Sequence, residues 1–85
     1  MPSVEIYVKD TCPYCWRAKR LLDEKGVRYT EIEVGWGGEL RAQMIERANG
    51  RTTVPQIFIG DRHIGGCDDL MALERAGRLD ELIAA

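Results

Sequence analysis

The chain is predicted to be an α/β protein, a mixed four-stranded sheet flanked by helices in the order βαβαββαα. Three observations carry this. Val4-Glu5-Ile6-Tyr7-Val8 alternates apolar residues as a half-buried strand does. The residues that follow it place Cys15, Ala18 and Leu22 at helical spacings of three and four. Two short β-rich stretches near the middle flank Gly60-Asp61, a pair suited to a tight hairpin. With 85 residues, 45% of them hydrophobic, residues 1–85 are expected to make one small domain with a modest core.

In chain order, the first strand is Val4 to Val8 and the first helix opens at Pro13 and stops at Gly26. Val27 to Val34, rich in β-branched and aromatic residues, reads as the second strand. A strand, a helix and a strand make a crossover unit, so the first two strands should be parallel. Gly35-Trp36-Gly37-Gly38 reads as a loop. Leu40, Met44, Ile45 and Ala48 then predict a second helix ending at Asn49-Gly50. Pro55 biases Val54 to an extended conformation. Gln56 to Ile59 and Arg62 to Gly65 are the hairpin strands. Leu70, Leu73 and Ala76 predict a third helix broken at Gly77, and Leu79, Leu82 and Ile83 a short fourth.

Twelve basic against fourteen acidic residues leave a net charge of −2, so no global field recruits nucleic acid or an anionic membrane. Locally the balance differs. Lys9, Arg17, Lys19 and Arg20 surround Asp10, an excess of positive charge that suits an anionic substrate. Met1-Pro2-Ser3 runs into the first strand without the basic and apolar regions of an export signal. No apolar run approaches the roughly 20 residues that span a bilayer. A cytoplasmic protein is therefore the expectation, and three cysteines do not form a secreted disulfide framework.

Cys12-Pro13-Tyr14-Cys15 is the most specific feature. Two thiols three positions apart can exchange electrons with another sulfur pair. If Cys12 caps the first helix, Pro13 falls at the first helical position, where its missing N–H is not needed. The Cys12 sulfur then faces the free N–H groups of Tyr14 and Cys15 and the positive helix end, which favours thiolate over thiol. Cys12 is thus expected to attack and Cys15, on the side of Ala18 and Leu22, to be buried and act second. The element order with this motif between the first strand and helix is the thioredoxin-like arrangement.

Together with Thr53-Val54-Pro55 before the hairpin and Gly65-Gly66-Cys67-Asp68-Asp69 opening the third helix, the motif resembles the signature segments of dithiol glutaredoxins, the short bacterial ones in particular. The resemblance covers the whole chain. It implies a glutathione-dependent thiol–disulfide oxidoreductase with catalytic Cys12 and Cys15 and with glutathione as reducing co-substrate, no cofactor being bound permanently. It also implies a cis proline at Pro55, with Val54 offering its N–H and C=O to the cysteinyl part of glutathione. Lys9 would meet the glycine carboxylate. The helix start, with the N–H groups of Cys67 and Asp68, would take the γ-glutamyl carboxylate, and an Asp68 or Asp69 side chain the ammonium. Gly65 and Gly66 would let the ligand approach the backbone, while Tyr14 and Thr53 line the groove. Arg41, Ala42 and Gln43 are the candidates for a further contact from the second helix. The implied partners are glutathionylated or disulfide-containing proteins and, through the glutathione pool, glutathione reductase. A monomer is expected, with no nucleic-acid or membrane partner.

Other readings compete. Cys12, Cys15, His63 and Cys67 offer four zinc ligands, but the intervening stretch 16–62 exceeds the roughly 12 to 20 residues of zinc modules. His63 itself is expected as an exposed strand residue and Cys67 as a small, partly buried one. A reductase fed by a thioredoxin-type reductase is countered by Lys9 and Gly65 to Asp69. In an iron–sulfur carrier, Cys12 and external glutathione would ligate a shared cluster, with which the rigid Pro13 motif competes.

Overall fold

The computed structural model describes residues 2–85. Met1, part of the N-terminal stretch read above for an export signal, lies outside them. The elements are β1 (Val4–Val8), α1 (Pro13–Glu24), β2 (Thr30–Glu33), α2 (Gly38–Arg47), β3 (Gln56–Ile59), β4 (Arg62–Gly65), α3 (Cys67–Arg75) and α4 (Leu79–Ala84). The strands form one sheet in the order β2-β1-β3-β4, in which β1 runs parallel to β2 and antiparallel to β3, and β3 antiparallel to β4. The predicted element order and mixed sheet are those of the structure. Among the described residues no helix is long and apolar enough to cross a membrane.

The two central strands are buried on both faces, which is why β1 and β3 carry near-continuous apolar runs. Val4, Ile6, Val8, Ile57 and Ile59 pack with Cys15, Ala18 and Leu22 of α1 and with Cys67 and Leu70 of α3. Leu79 and Ile83 of α4 close the same cluster. On the other face Tyr7 and Phe58 pack with Val34, Met44 and Ala48, which brings α2 against the sheet. β1 thus ends between two layers of helix, and the segment after it, which holds Cys12, emerges at their common edge.

Four expectations need correction. The second strand is shorter than Val27 to Val34, because the residues after α1 are spent on closing that helix. Gly26 adopts a positive φ of 70°, its N–H donates to Asp23 O and the Val27 N–H to Leu22 O, a Schellman closure that leaves Val27 unavailable to the ladder. Pairing with β1 begins at Thr30 opposite Glu5. Gly38 is the first residue of α2 and not loop. Leu40 is exposed, since α2 meets the sheet through Met44 and Ala48 in its second half. His63 is half-buried. Its ring stacks on Phe58, with centroids 4.9 Å apart and planes 24° from parallel.

Candidate active site

Cys12 is the N-cap of α1, with extended backbone, and Pro13 occupies the first turn as its fixed φ favours. The helix begins with Trp16 N–H donating to Cys12 O at 3.2 Å. The Cys15 N–H, one of the donors a helix start leaves free, donates to Cys12 Sγ at 3.4 Å. Cys12 is partly exposed, whereas Cys15 is fully buried beneath it among Ala18 and Leu22. Burial, with the neighbouring Cys12 sulfur adding to it, pushes the Cys15 thiol up to about 12. The two sulfurs therefore differ as the sequence predicts: one sits at a helix start within reach of solvent, the other is held as a protonated thiol in the core. Cys67, the third free cysteine, is also buried, which raises its thiol.

The chain passes the Cys12 sulfur a second time at Val54, whose carbonyl oxygen lies 3.7 Å from Cys12 Sγ. The peptide bond between Val54 and Pro55 is cis. From there a groove of about 340 Å³ runs to the start of α3, lined by Tyr14, Arg51, Thr53, Val54, Pro55, Gly66, Cys67, Asp68 and Asp69. A larger depression of about 590 Å³ lies at the far end of β1, beside Pro2, Lys25 and Tyr29, and no thiol lines it.

The electrostatics of the groove come from three sources. At its α3 end the N–H groups of the first helical turn point outward without intrahelical partners. Asp69 caps that turn, Gly66 N–H donating to its Oδ2 at 2.9 Å. Arg51 Nη1 reaches the same oxygen at 3.3 Å. The Gly66 N–H, aided by Arg51, holds the Asp69 carboxyl below the usual carboxylate range. Asp68 beside it has no side-chain partner among the described residues and faces the groove with its charge free. Gly65 has φ of 115°, and a methyl group there would run into the Asp69 carboxylate. That close approach gives this glycine a structural reason of its own.

Eight of the predicted contact residues, Tyr14, Thr53, Val54, Pro55, Gly66, Cys67, Asp68 and Asp69, thus share one groove beside Cys12. Lys9 does not line it. Its carbonyl accepts from Cys12 N–H at 3.3 Å, but its exposed side chain extends toward Gly35, on the other flank of Cys12. None of Arg41, Ala42 and Gln43 lines it either, and Gln43 Oε1 accepts from Tyr7 O–H at 3.1 Å. Of the basic residues around the motif, Lys19 is paired with Glu31 at 3.0 Å, which reduces the local positive excess. Trp36 is 94% exposed and makes no side-chain hydrogen bond among the described residues, while Trp16 is oriented by its Nε1–H donating to Asp10 O at 2.9 Å. The zinc reading requires His63 beside the cysteines, yet its ring packs on Phe58, in the cluster opposite that of Cys15 and Cys67. Arg51 is the groove residue that sequence reasoning missed. A lone basic side chain two residues before Thr53 gives no signal until α3 is folded against it.

A dithiol at a helix start, with an extended segment and a second helix start around it, recurs among proteins of known family. The glutaredoxin family model matches residues 4–64. A glutaredoxin of Pseudomonas aeruginosa is 59% identical over the full length of both chains. The chain belongs to the glutaredoxin family. Glutaredoxin 3 of Escherichia coli is 58% identical, with 98% of this chain and 99% of that one covered. The crystal structure of a buckwheat glutaredoxin–glutathione complex superposes with a TM-score of 0.86 at 36% identity, covering 98% of this chain and 77% of that one. The fold is the thioredoxin-like fold of glutaredoxins, and membership in the family makes the chain a thiol–disulfide oxidoreductase.

Proposed function

We propose that the chain is a glutathione-dependent oxidoreductase, residues 1–85 acting as one glutaredoxin-like domain, and that the groove beside Cys12 is its glutathione site. The observation that carries this is the convergence of Tyr14, Thr53, Val54, Pro55, Gly66, Cys67, Asp68 and Asp69 on a single groove next to the more accessible of two paired thiols. The glutathione in the related buckwheat complex supports the ligand class. Val54 pairs with the cysteinyl backbone, the free N–H groups at Cys67 and Asp68 take the γ-glutamyl carboxylate, and Asp68 takes the ammonium. Asp69, committed to Gly66 and Arg51, shapes the site. Lys9, across Cys12, meets the glycine carboxylate as the tripeptide extends past the sulfur.

The chemistry is thiolate exchange. On a protein–glutathione mixed disulfide, the Cys12 thiolate attacks the glutathione sulfur, the protein thiolate leaves, and glutathione remains on Cys12. A second glutathione thiolate attacks that sulfur, which releases oxidised glutathione and the Cys12 thiolate. On a protein disulfide, Cys12 forms a mixed disulfide with the protein. Cys15 gives up its proton and attacks the Cys12 sulfur, the bond from Cys12 to the protein breaks, and the protein thiolate leaves and takes up a proton. Two glutathiones reduce the resulting Cys12–Cys15 disulfide with release of oxidised glutathione. Glutathione reductase acts only indirectly, on the oxidised glutathione. The protein works as a cytoplasmic monomer with no permanently bound cofactor and with neither nucleic acid nor membrane as partner.

The test is a coupled assay: reduction of a small glutathione mixed disulfide by glutathione, with NADPH oxidation through glutathione reductase as the readout. Turnover that needs both glutathione and Cys12 is expected. Absence of turnover under these conditions, with activity retained when another dithiol is the donor, would replace glutathione as the co-substrate.

A further inference from the structure

Gln56, the first residue of β3, has a polar side chain with no exposure, and every end of it is committed. Its Nε2 donates to Thr53 O at 3.0 Å and lies 3.2 Å from Thr53 Oγ1. Its Oε1 lies 2.6 Å from His63 Nε2. Because Thr53 O can only accept, the amide nitrogen must be the end that faces Thr53, and the amide oxygen must face His63. His63 Nε2 must therefore carry a proton and donate it. Burial, with Arg51 and Arg47 nearby and only partly opposed by Asp69, lowers the pKa of His63, so the ring is neutral near pH 7 with its single N–H on Nε2.

His63 is itself held firmly. The β3–β4 ladder sets it opposite Phe58, on whose ring it stacks, and the register shift beside Ile57 and Phe58 lets it reach diagonally to Gln56 on the same sheet face. The relay thus starts from a locked ring on an edge strand, crosses one buried amide, and ends on Thr53, whose next residue but one is the cis Pro55 and whose neighbour Val54 has its carbonyl 3.7 Å from Cys12 Sγ.

We infer that His63 is a positioning residue of the groove: by donating to Gln56 it fixes the amide so that Thr53 and the extended wall after it keep the geometry that receives glutathione. The inference rests on the groove being the glutathione site. Without the Nε2–H, Gln56 Oε1 loses the one donor it has among the described residues and is left buried and unpaired, a cost relieved by shifting the Gln56 amide and, through its Nε2 contacts, the Thr53 wall it holds. His63 touches neither ligand nor sulfur. It acts through Gln56, and its loss weakens capture of the glutathione moiety while leaving the sulfur chemistry intact.

The decisive comparison separates the ring stack from the hydrogen bond. His63→Phe keeps a ring on Phe58 and removes the donor; His63→Gln removes the ring and supplies an amide N–H to the same acceptor. Steady-state kinetics with the mixed disulfide of glutathione and cysteine as the varied substrate should show KM raised about five- to tenfold in His63→Phe, with kcat within about twofold of wild type. His63→Gln should return KM to within about twofold of wild type. A folded His63→Phe with wild-type KM overturns the inference, and so does a His63→Gln with KM raised as far as in His63→Phe. Should His63→Phe not fold, Gln56→Met, which keeps the volume and deletes the relay, carries the same expected KM rise, and an unchanged KM overturns the inference. Wild-type protein that reduces disulfides but does not turn over the glutathione mixed disulfide marks the failure of the underlying glutathione reading instead, since no variant is needed to see it.

Discussion

The carboxylate of Asp69 accepts from Arg51 Nη1 at 3.3 Å, a bond that ties the start of α3 to the segment leading into β3 across the groove between them. Its neighbour Asp68 makes no such bond. Two adjacent aspartates at one helix start therefore have separable consequences, one for the shape of the groove and one for its charge.

For Asp69 the consequence is acid sensitivity. Its folded carboxyl titrates below the ordinary value because Gly66 N–H and then Arg51 stabilise the charged form. The stability it supplies is therefore complete above the unfolded value of about 4 and is lost as pH falls below it. Thermal midpoints measured from about pH 6 to about pH 3 should fall more steeply for wild type than for Asp69→Asn. Parallel slopes would remove Asp69 from the acid response.

For Asp68 the consequence is binding. Asp68→Asn is expected to raise KM for a glutathione mixed disulfide about five- to tenfold, the effect of losing one charge-assisted contact. Stability should stay within about 0.5 kcal/mol of wild type, as for an exposed side chain without partners. Equal loss of stability in Asp68→Asn and Asp69→Asn would contradict the division of labour between them.

The three thiols should differ sharply toward an alkylating agent. Cys15 titrates only near pH 12 and Cys67 is raised by burial, so both remain protonated and covered at neutral pH. Brief treatment of the reduced protein with iodoacetamide near pH 7 should add one group, located on Cys12 by peptide mass spectrometry. Equal labelling of Cys15 would refute the buried, protonated state.

The two routes proposed for Cys12 are separable by single substitutions. Cys12→Ser should abolish reduction of both glutathione mixed disulfides and protein disulfides, by at least about a thousandfold, as expected when an activated nucleophile is removed. Cys15→Ser should retain the first activity within about threefold and lose the second. Loss of both activities in Cys15→Ser would reverse the assignment of attacker and resolver.

The elements were legible where a local signal existed. The alternation of β1, the Cys15–Ala18–Leu22 spacing of α1 and the Gly60-Asp61 turn each lie within a few residues and follow from chain geometry. The Cys12 N-cap was legible for the same reason, since Pro13 marks the first helical turn. What escaped depends on partners far away in sequence. Arg47 donates to Tyr7 O–H at 2.9 Å and to Glu5 at 3.0 Å and lies 4.1 Å over the Phe58 ring, a cluster with no periodic trace. Arg51 and His63 were missed or misplaced likewise, because only the folded hairpin brings them to Asp69 and Gln56. The start of β2 was misjudged through competition: Val27 has the composition of a strand residue, but the helix end takes its N–H first.

The sheet order puts two short strands outermost and keeps β1, the longest, in the centre. β2 and β4 have four residues each, and the exposed faces of those edges carry Thr30 and Glu31 on one side and Arg62 on the other. A short, charged rim offers a poor template for strand addition by a neighbouring copy. The apolar central strands β1 and β3 are each paired on both flanks, so neither offers its backbone to a neighbouring chain.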